Sequence, residues 1–182
     1  LLESCYRHDA DLLVLGAHGQ ERSHDRTGTV ASKCVRKAPI PVLLVRYHQE
    51  RPFYNVAACI DFSETSETVV SEAALLARRF GYHLKIVHVI DPPGEELVWL
   101  LALPSMRPLA EIPPWRQHAT SEMERFMNKM ETELDGLEVE THLVENAKAS
   151  RGIINFAKEN DVDLLVLASR GRTGKNWLLM GT

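Results

Sequence analysis

The sequence predicts a doubly wound α/β fold, a parallel sheet covered by helices on both faces and present in tandem copies, and three observations carry that prediction. Short apolar runs alternate with segments of helical periodicity, the runs are apolar almost without interruption, and the chain repeats itself at the length of a domain.

In chain order, residues 1–9 read as the end of a helix and 11–16 as a continuous apolar strand. A polar loop over 17–27, a helix over 29–38 and a second buried strand over 40–46 follow. The polar stretch RYHQERPF, with Pro52, reads as a linker. Beyond it come a strand over 55–60 and a helix over 66–80 that carries Val69, Ala73, Leu76, Ala77 and Phe80 at helical spacing. Gly81 stands where a left-handed cap is wanted, and a strand over 83–90 follows. Residues 91–114 contain six prolines and the stretch LVWLL, so they read as a long insert, a lid or a partner surface. A helix over 116–134 precedes a strand over 138–145 with alternating Val139, Thr141 and Leu143. A helix over 149–160 and a strand over 163–168 complete the pass.

The repeat needs no gaps over its best stretch. LLESCYRHDADLLVL, residues 1–15, aligns with IINFAKENDVDLLVL, residues 153–167, at an offset of 152. Asp9 meets Asp161, Asp11 meets Asp163, and after a one-residue gap Gly28 and Thr29 meet Gly181 and Thr182. A solenoid repeats every 20–50 residues or so, whereas this period is a whole domain. The expected organisation is therefore the carboxyl half of a first copy over 1–47, a linker over 48–54, and a second copy over 55–182 that lacks its last helix and strand.

Composition narrows the function. Twenty-one basic against 25 acidic side chains give a formal charge of −4, without the clustered basic excess of a nucleic-acid surface. Cys5, Cys34 and Cys59 are odd in number and lie among apolar residues, so they read as small core hydrophobes in a reducing cytoplasm. No apolar run reaches the roughly 18 residues that a membrane span needs.

The chemistry is expected at strand tips, because open α/β sheets bind ligands outside the carboxyl ends of their strands where strand order reverses. One tip ends in Asp61, in VAACIDFSETS; another runs into LASRGRTGKNWLLMGT, where nine residues separate Gly171 from Gly181. The first copy reads LGAHGQERSHDRTGTVASK at the matching place. Glycines there let backbone N–H groups approach phosphate oxygens, and a Gly-Thr pair opening a helix favours anions. Arg172 and Lys175 on the intervening arch would offset phosphate charge. Asp61 would accept from a base amino group or a ribose hydroxyl, or else start the turn and cap the next helix. The glycines equally serve tight turns.

These residues resemble the signature of the universal stress protein family: Gly, two residues, Gly, nine residues, then Gly-Ser or Gly-Thr. VAACIDFSETS resembles that family's first strand and turn, and APIPVLLV at 38–45 its ending. The resemblance implies a five-stranded sheet of the adenine nucleotide alpha hydrolase-like fold. It implies ATP or a related adenine nucleotide, possibly with Mg²⁺, held by Asp61, Val89, Arg170, Gly171, Gly181 and Thr182. Ala168 occupies the first glycine's place and adds a methyl at the turn. In the first copy only eight residues separate Gly19 from Gly28, so Gly16, His18, Gly19, Gly28 and Thr29 are expected to form a weak or empty site, the nucleotide-free scaffold being the alternative for both copies. The resemblance also implies pairing of repeats, or a homodimer, through 40–46.

Other constellations fail on spacing. Gly171–Lys175 is no P-loop, since Ser169 stands where the first glycine belongs and Asn176 follows Lys175; GxSxG and HExxH do not occur. His83 and His88 sit at odd separation on one strand, hence on opposite faces, and do not share a metal. His18 and His24 read as solvated loop residues. Trp99, Trp115, Leu100, Leu101 and Leu103 are expected to cover the sheet or a partner. No general base stands out, which leaves slow hydrolysis at most.

Overall fold

A computed structural model describes residues 1–17, 27–46, 53–81, 83–94 and 114–169. The described residues fall into two compact units that part between residues 46 and 53. In the first, helix α1 (Leu2–Arg7) leads to strand β1 (Leu13–Gly16), helix α2 (Thr29–Lys37) and strand β2 (Val42–Val45). β1 and β2 pair in parallel, from Leu13 beside Val42 to Gly16 beside Val45. α2 buries Ala31 and Cys34 and stops at Ala38, whose extended backbone (φ −64°, ψ 138°) is the conformation that Pro39 imposes on its predecessor.

The second unit runs β3 (Asn55–Ile60), α3 (Glu64–Phe80), β4 (His83–Ile90), α4 (Pro114–Lys129), α5 (Glu131–Leu134), β5 (Val139–Glu145), α6 (Ala149–Glu159) and β6 (Leu164–Leu167). Its sheet is parallel throughout, in the order β5-β4-β3-β6. The chain thus steps outward from β3 to β4 and β5, then returns to place β6 on the other side of β3. Strand residues divide between two layers. Val56, Ala58, Ile60, Leu84 and Ile86 pack beneath α3, α4 and α5, with Met123, Phe126 and Leu134. Ala57, Val87 and Phe156 fill the opposite layer, under α6. Cys59 borders that second layer, and burial pushes its thiol up from 9.0 to about 12. The stability that the neutral thiol contributes is therefore complete below pH 9 and is lost as pH rises towards 12.

Helix α3 starts two residues before the expected 66, with Ser63 at the N-cap and Glu64 and Glu67 in the first turn; it ends as expected, with Arg78 and Arg79 in the last turn and Gly81 left-handed at φ 69°. Its buried stripe differs from the expected one. Val69, Val70, Ala73, Ala74 and Ala77 face the sheet, while Phe80 is 53% exposed. Three alanines bring the helix axis close to β3, so the contact face centres on small residues rather than on the large ones that dominate a hydrophobic count. The single helix expected over 116–134 is two helices, broken at Met130 (φ −93°, ψ 7°).

The repeat has a structural counterpart. Asp9 and Asp161 both take φ 48° after a helix. Ala10 N–H donates to the Cys5 carbonyl at 3.1 Å, and Val162 N–H to the Ala157 carbonyl at 2.9 Å. His8 to Ser4 and Asn160 to Phe156 are matched in the same way, both at 3.0 Å. All five residue pairs keep the offset of 152, and the geometry is that of a Schellman helix end with aspartate where glycine is usual. The second aspartate of the D-x-D sequence does something else: Asp163 Oδ2 accepts from the N–H groups of Tyr54 and Asn55 at 3.0 and 3.1 Å, fastening β6 to the start of β3.

Candidate binding site at the strand tips

β3 is the strand at which the order reverses, with β4 on one side and β6 on the other. Ladder pairing ends with Ile60 beside His88 and with Cys59 beside Leu167. Asp61 and Ser169 each lie two residues beyond the Cys59–Leu167 pair, so the acid and the start of the glycine-rich segment leave the sheet side by side. Of the residues expected at this site, Asp61, Val89 and Ala168 are described; Arg170, Gly171, Gly181 and Thr182, with Arg172 and Lys175, lie outside the described residues.

Asp61 organises the turn into α3. Its Oδ1 accepts from Ser63 N–H at 3.1 Å, Ser63 Oγ at 2.5 Å and the buried Ser66 Oγ at 3.1 Å. In return the Asp61 N–H donates to Ser66 Oγ at 3.2 Å. Since the Ser63 proton goes to Asp61, Thr65 donates in the 2.9 Å contact between the two hydroxyls. Of the two roles open to Asp61 in the sequence, the turn-forming one is in place, and the two serines fix where its carboxylate sits.

Two further residues shape this tip. Phe62 stands at φ 58°, and its ring stacks on His88 with centroids 4.3 Å apart. His88 Nδ1 lies 2.9 Å from the Ile60 carbonyl, an acceptor only, so Nδ1 carries the proton. His83, at the other end of β4 and on the opposite face, pairs with Glu138 at 3.3 Å. Among the described residues no group of three His, Cys, Asp or Glu side chains could hold a metal. Ser63 and Ser66 have a sequence signal, serines two and five residues after an aspartate that ends a strand. The roles of Phe62 and His88 have none.

Val89 points to the α6 layer, where Gly152 lets the helix approach: a Cβ on Gly152 would fall 2.8 Å from Val89 Cγ1 and 3.1 Å from Asn146 Cβ. Ala168 is half-buried against the α3 layer. In the first unit, Gly16 ends β1, Gly28 is the N-cap of α2 and Thr29 its first residue; Gly28 N–H donates to the Ala17 carbonyl at 2.8 Å, which joins strand tip to helix start. His18 and Gly19 lie outside the described residues, as do Trp99, Leu100, Leu101 and Leu103 of the insert. An open groove of about 590 Å³ lies at the opposite end of the sheet, between Gly81, His83 and Gly136, far along β4 from the tips.

The profile of the Universal stress protein family matches residues 5–46 and 52–182. The chain belongs to that family. A universal stress protein from Archaeoglobus fulgidus DSM 4304 superposes with a TM-score of 0.64 at 17% identity, covering 94% of this chain and 53% of that one. A putative universal stress protein from Pseudomonas aeruginosa UCBPP-PA14 gives 0.63 at 14% identity, covering 99% and 60%. The UspA protein from Lactobacillus plantarum gives 0.51 at 19% identity, covering 73% and 88%. At these identities the likeness is one of fold, and the chain spans little more than half of the two structures that superpose best among these three. Comparison with curated proteins gives no match. No helix among the described residues is long and apolar enough to cross a membrane.

Proposed function

We propose that this universal stress protein binds ATP or a related adenine nucleotide at the β3 and β6 tips of its second unit and serves as a cytoplasmic stress-response or regulatory module. The observation that carries the reading is the position of Asp61: it sits at the strand where order reverses, beside the strand that runs into Gly171, Gly181 and Thr182. Asp61, the Val89 backbone and Ala168 would frame the base and ribose, and Arg170 with the glycine amides would take the phosphates. Hydrolysis, if any, is slow. The free cysteines suit a reducing compartment.

We read the two stretches matched by the family profile as two copies of one fold in tandem, with the paired aspartate turns in support. The first copy keeps Gly16, His18, Gly19, Gly28 and Thr29, a weaker site whose Gly28 amide is engaged by Ala17. Strand β2, within 40–46, is the edge through which copies pair. Light scattering at high concentration is expected to return a dimer, and a lone monomer would remove this part of the proposal.

A second reading, a nucleotide-free scaffold, is favoured by the three donors that Asp61 Oδ1 already receives. Calorimetric titration of ATP, with and without Mg²⁺, separates the two. Binding heat is expected for the chain itself, about tenfold weaker affinity for Asp61→Ala, the loss of one charge-assisted hydrogen bond, and none for Gly171→Val. A folded protein that gives no heat with either ligand form leaves the scaffold reading standing.

A further inference from the structure

The turn between β3 and α3 puts a phenylalanine where glycine would be at ease. At φ 58° the Cβ of Phe62 crowds its own backbone, and such a residue keeps that conformation only where its surroundings over-determine it. The surroundings do so from two sides. His88 lies against one part of the ring at 4.3 Å and an interplanar angle of 38°, and Phe126, buried on α4, meets it edge-on at 6.0 Å and 61°.

His88 also acts on the residue before the turn. It is the register partner of Ile60, the last residue of β3, and its Nδ1–H takes the Ile60 carbonyl at 2.9 Å. One imidazole therefore holds the strand end by a hydrogen bond and the left-handed residue two positions later by its face. Asp61 lies between those two fixed points. With Ile60 and Phe62 held, the chain direction at Asp61 is set, and Ser63 and Ser66 are brought round to its Oδ1.

We infer that His88 is the positioning residue of the strand-tip site: its hold on Ile60 and Phe62 sets the left-handed turn that aims the Asp61 carboxylate. The consequence for ligand binding rests on the nucleotide reading given above; the consequence for the turn does not.

The test separates donor from ring. His88→Phe keeps a ring against Phe62 and loses the donor, whereas His88→Asn keeps an N–H at nearly the place of Nδ1 and loses the ring. Amide hydrogen exchange, followed by NMR without ligand, reads the Ser63 N–H that Asp61 accepts, with the Ala74 amide in mid-α3 as the reference for stability at large. His88→Phe is expected to speed Ser63 exchange about tenfold over Ala74, the loss of about one hydrogen bond, and to weaken ATP binding by a similar factor. His88→Asn, which keeps the hold on Ile60 and loses the ring against Phe62, is expected to speed Ser63 exchange less, by about threefold. Ser63 exchange unchanged in His88→Phe overturns the inference. So does a rise shared equally by Ser63 and Ala74, which is a stability effect alone. Selective loosening of Ser63 in a series that binds no ATP sustains the positioning role and sinks the nucleotide reading instead. Should His88→Phe fail to fold, His88→Ala takes its place beside His88→Asn: protection of Ser63 in Asn but not Ala supports the inference, and equal exchange in both overturns it.

Discussion

Phe126→Ala is expected to lower the free energy of unfolding by about 4 kcal/mol, read from urea denaturation. The ring is buried in the layer formed by Val70, Ala74, Leu84 and Ile86, so its removal forfeits apolar burial and leaves a cavity. The rigid neighbours around it, two β-strands and an alanine-rich helix, have little freedom to collapse into that space. A second loss is local: Phe62 keeps its left-handed backbone partly because Phe126 meets its ring. Phe126→Leu, which fills most of the volume, should cost less than about 1.5 kcal/mol. A loss under 1 kcal/mol for the alanine variant would mean that α4 is not a principal wall of the core, contrary to its packing against β4 and α3.

Gly152→Val should cost about 3 kcal/mol by the same measurement, through overpacking rather than a void. The first added carbon already falls 2.8 Å from Val89 Cγ1, and the branched side chain adds two more methyls to the same gap. Val89 has little room to yield, being β-branched and paired with Val144 of β5. Gly152→Ala provides the comparison. It gains about 1 kcal/mol of helix propensity, which offsets part of its smaller clash. A valine variant as stable as the parent would show that α6 can lift from the sheet at no cost. Any outward shift of Val89 would also widen the strand tips, so the stability loss and weaker nucleotide binding are expected together.

The fold was largely legible because its strands are short, mainly apolar runs set between helical segments. Those over 55–60 and 83–90, the second despite Lys85 and His88, have the bounds read from sequence. The carboxyl end of α3 was placed more reliably than its buried face. Gly81 marks the end of α3 well, although its start was read two residues late, yet periodicity favoured Leu76 and Phe80 over Val70 and Ala74, because a hydrophobic count weights bulk while close helix–sheet packing selects small residues. The break at Met130 was missed since no proline or glycine announces it; the next glycine, Gly136, comes only after α5.

At the site, Asp61 was legible from its place at the end of an apolar strand. Its serine partners follow from ordinary turn chemistry. Phe62 and His88 were not legible, because the left-handed turn depends on a ring 26 residues away in sequence and on another from α4. The D-x-D repeat was visible but not its division of labour, with Asp161 turning the chain and Asp163 tying two strands.

That tie bears on the order in which the molecule assembles. His88 reaches Ile60 across 28 residues, whereas Asp163 reaches Asn55 across 108. Closing the longer loop costs more chain entropy and contributes to slower folding, so β6 should join last, after β3, α3 and β4 have formed a nucleus. A site at the paired tips of β3 and β6 would then exist only in the finished protein. Whatever molecule fills it selects completed chains over partly folded ones and stabilises the step that finishes them.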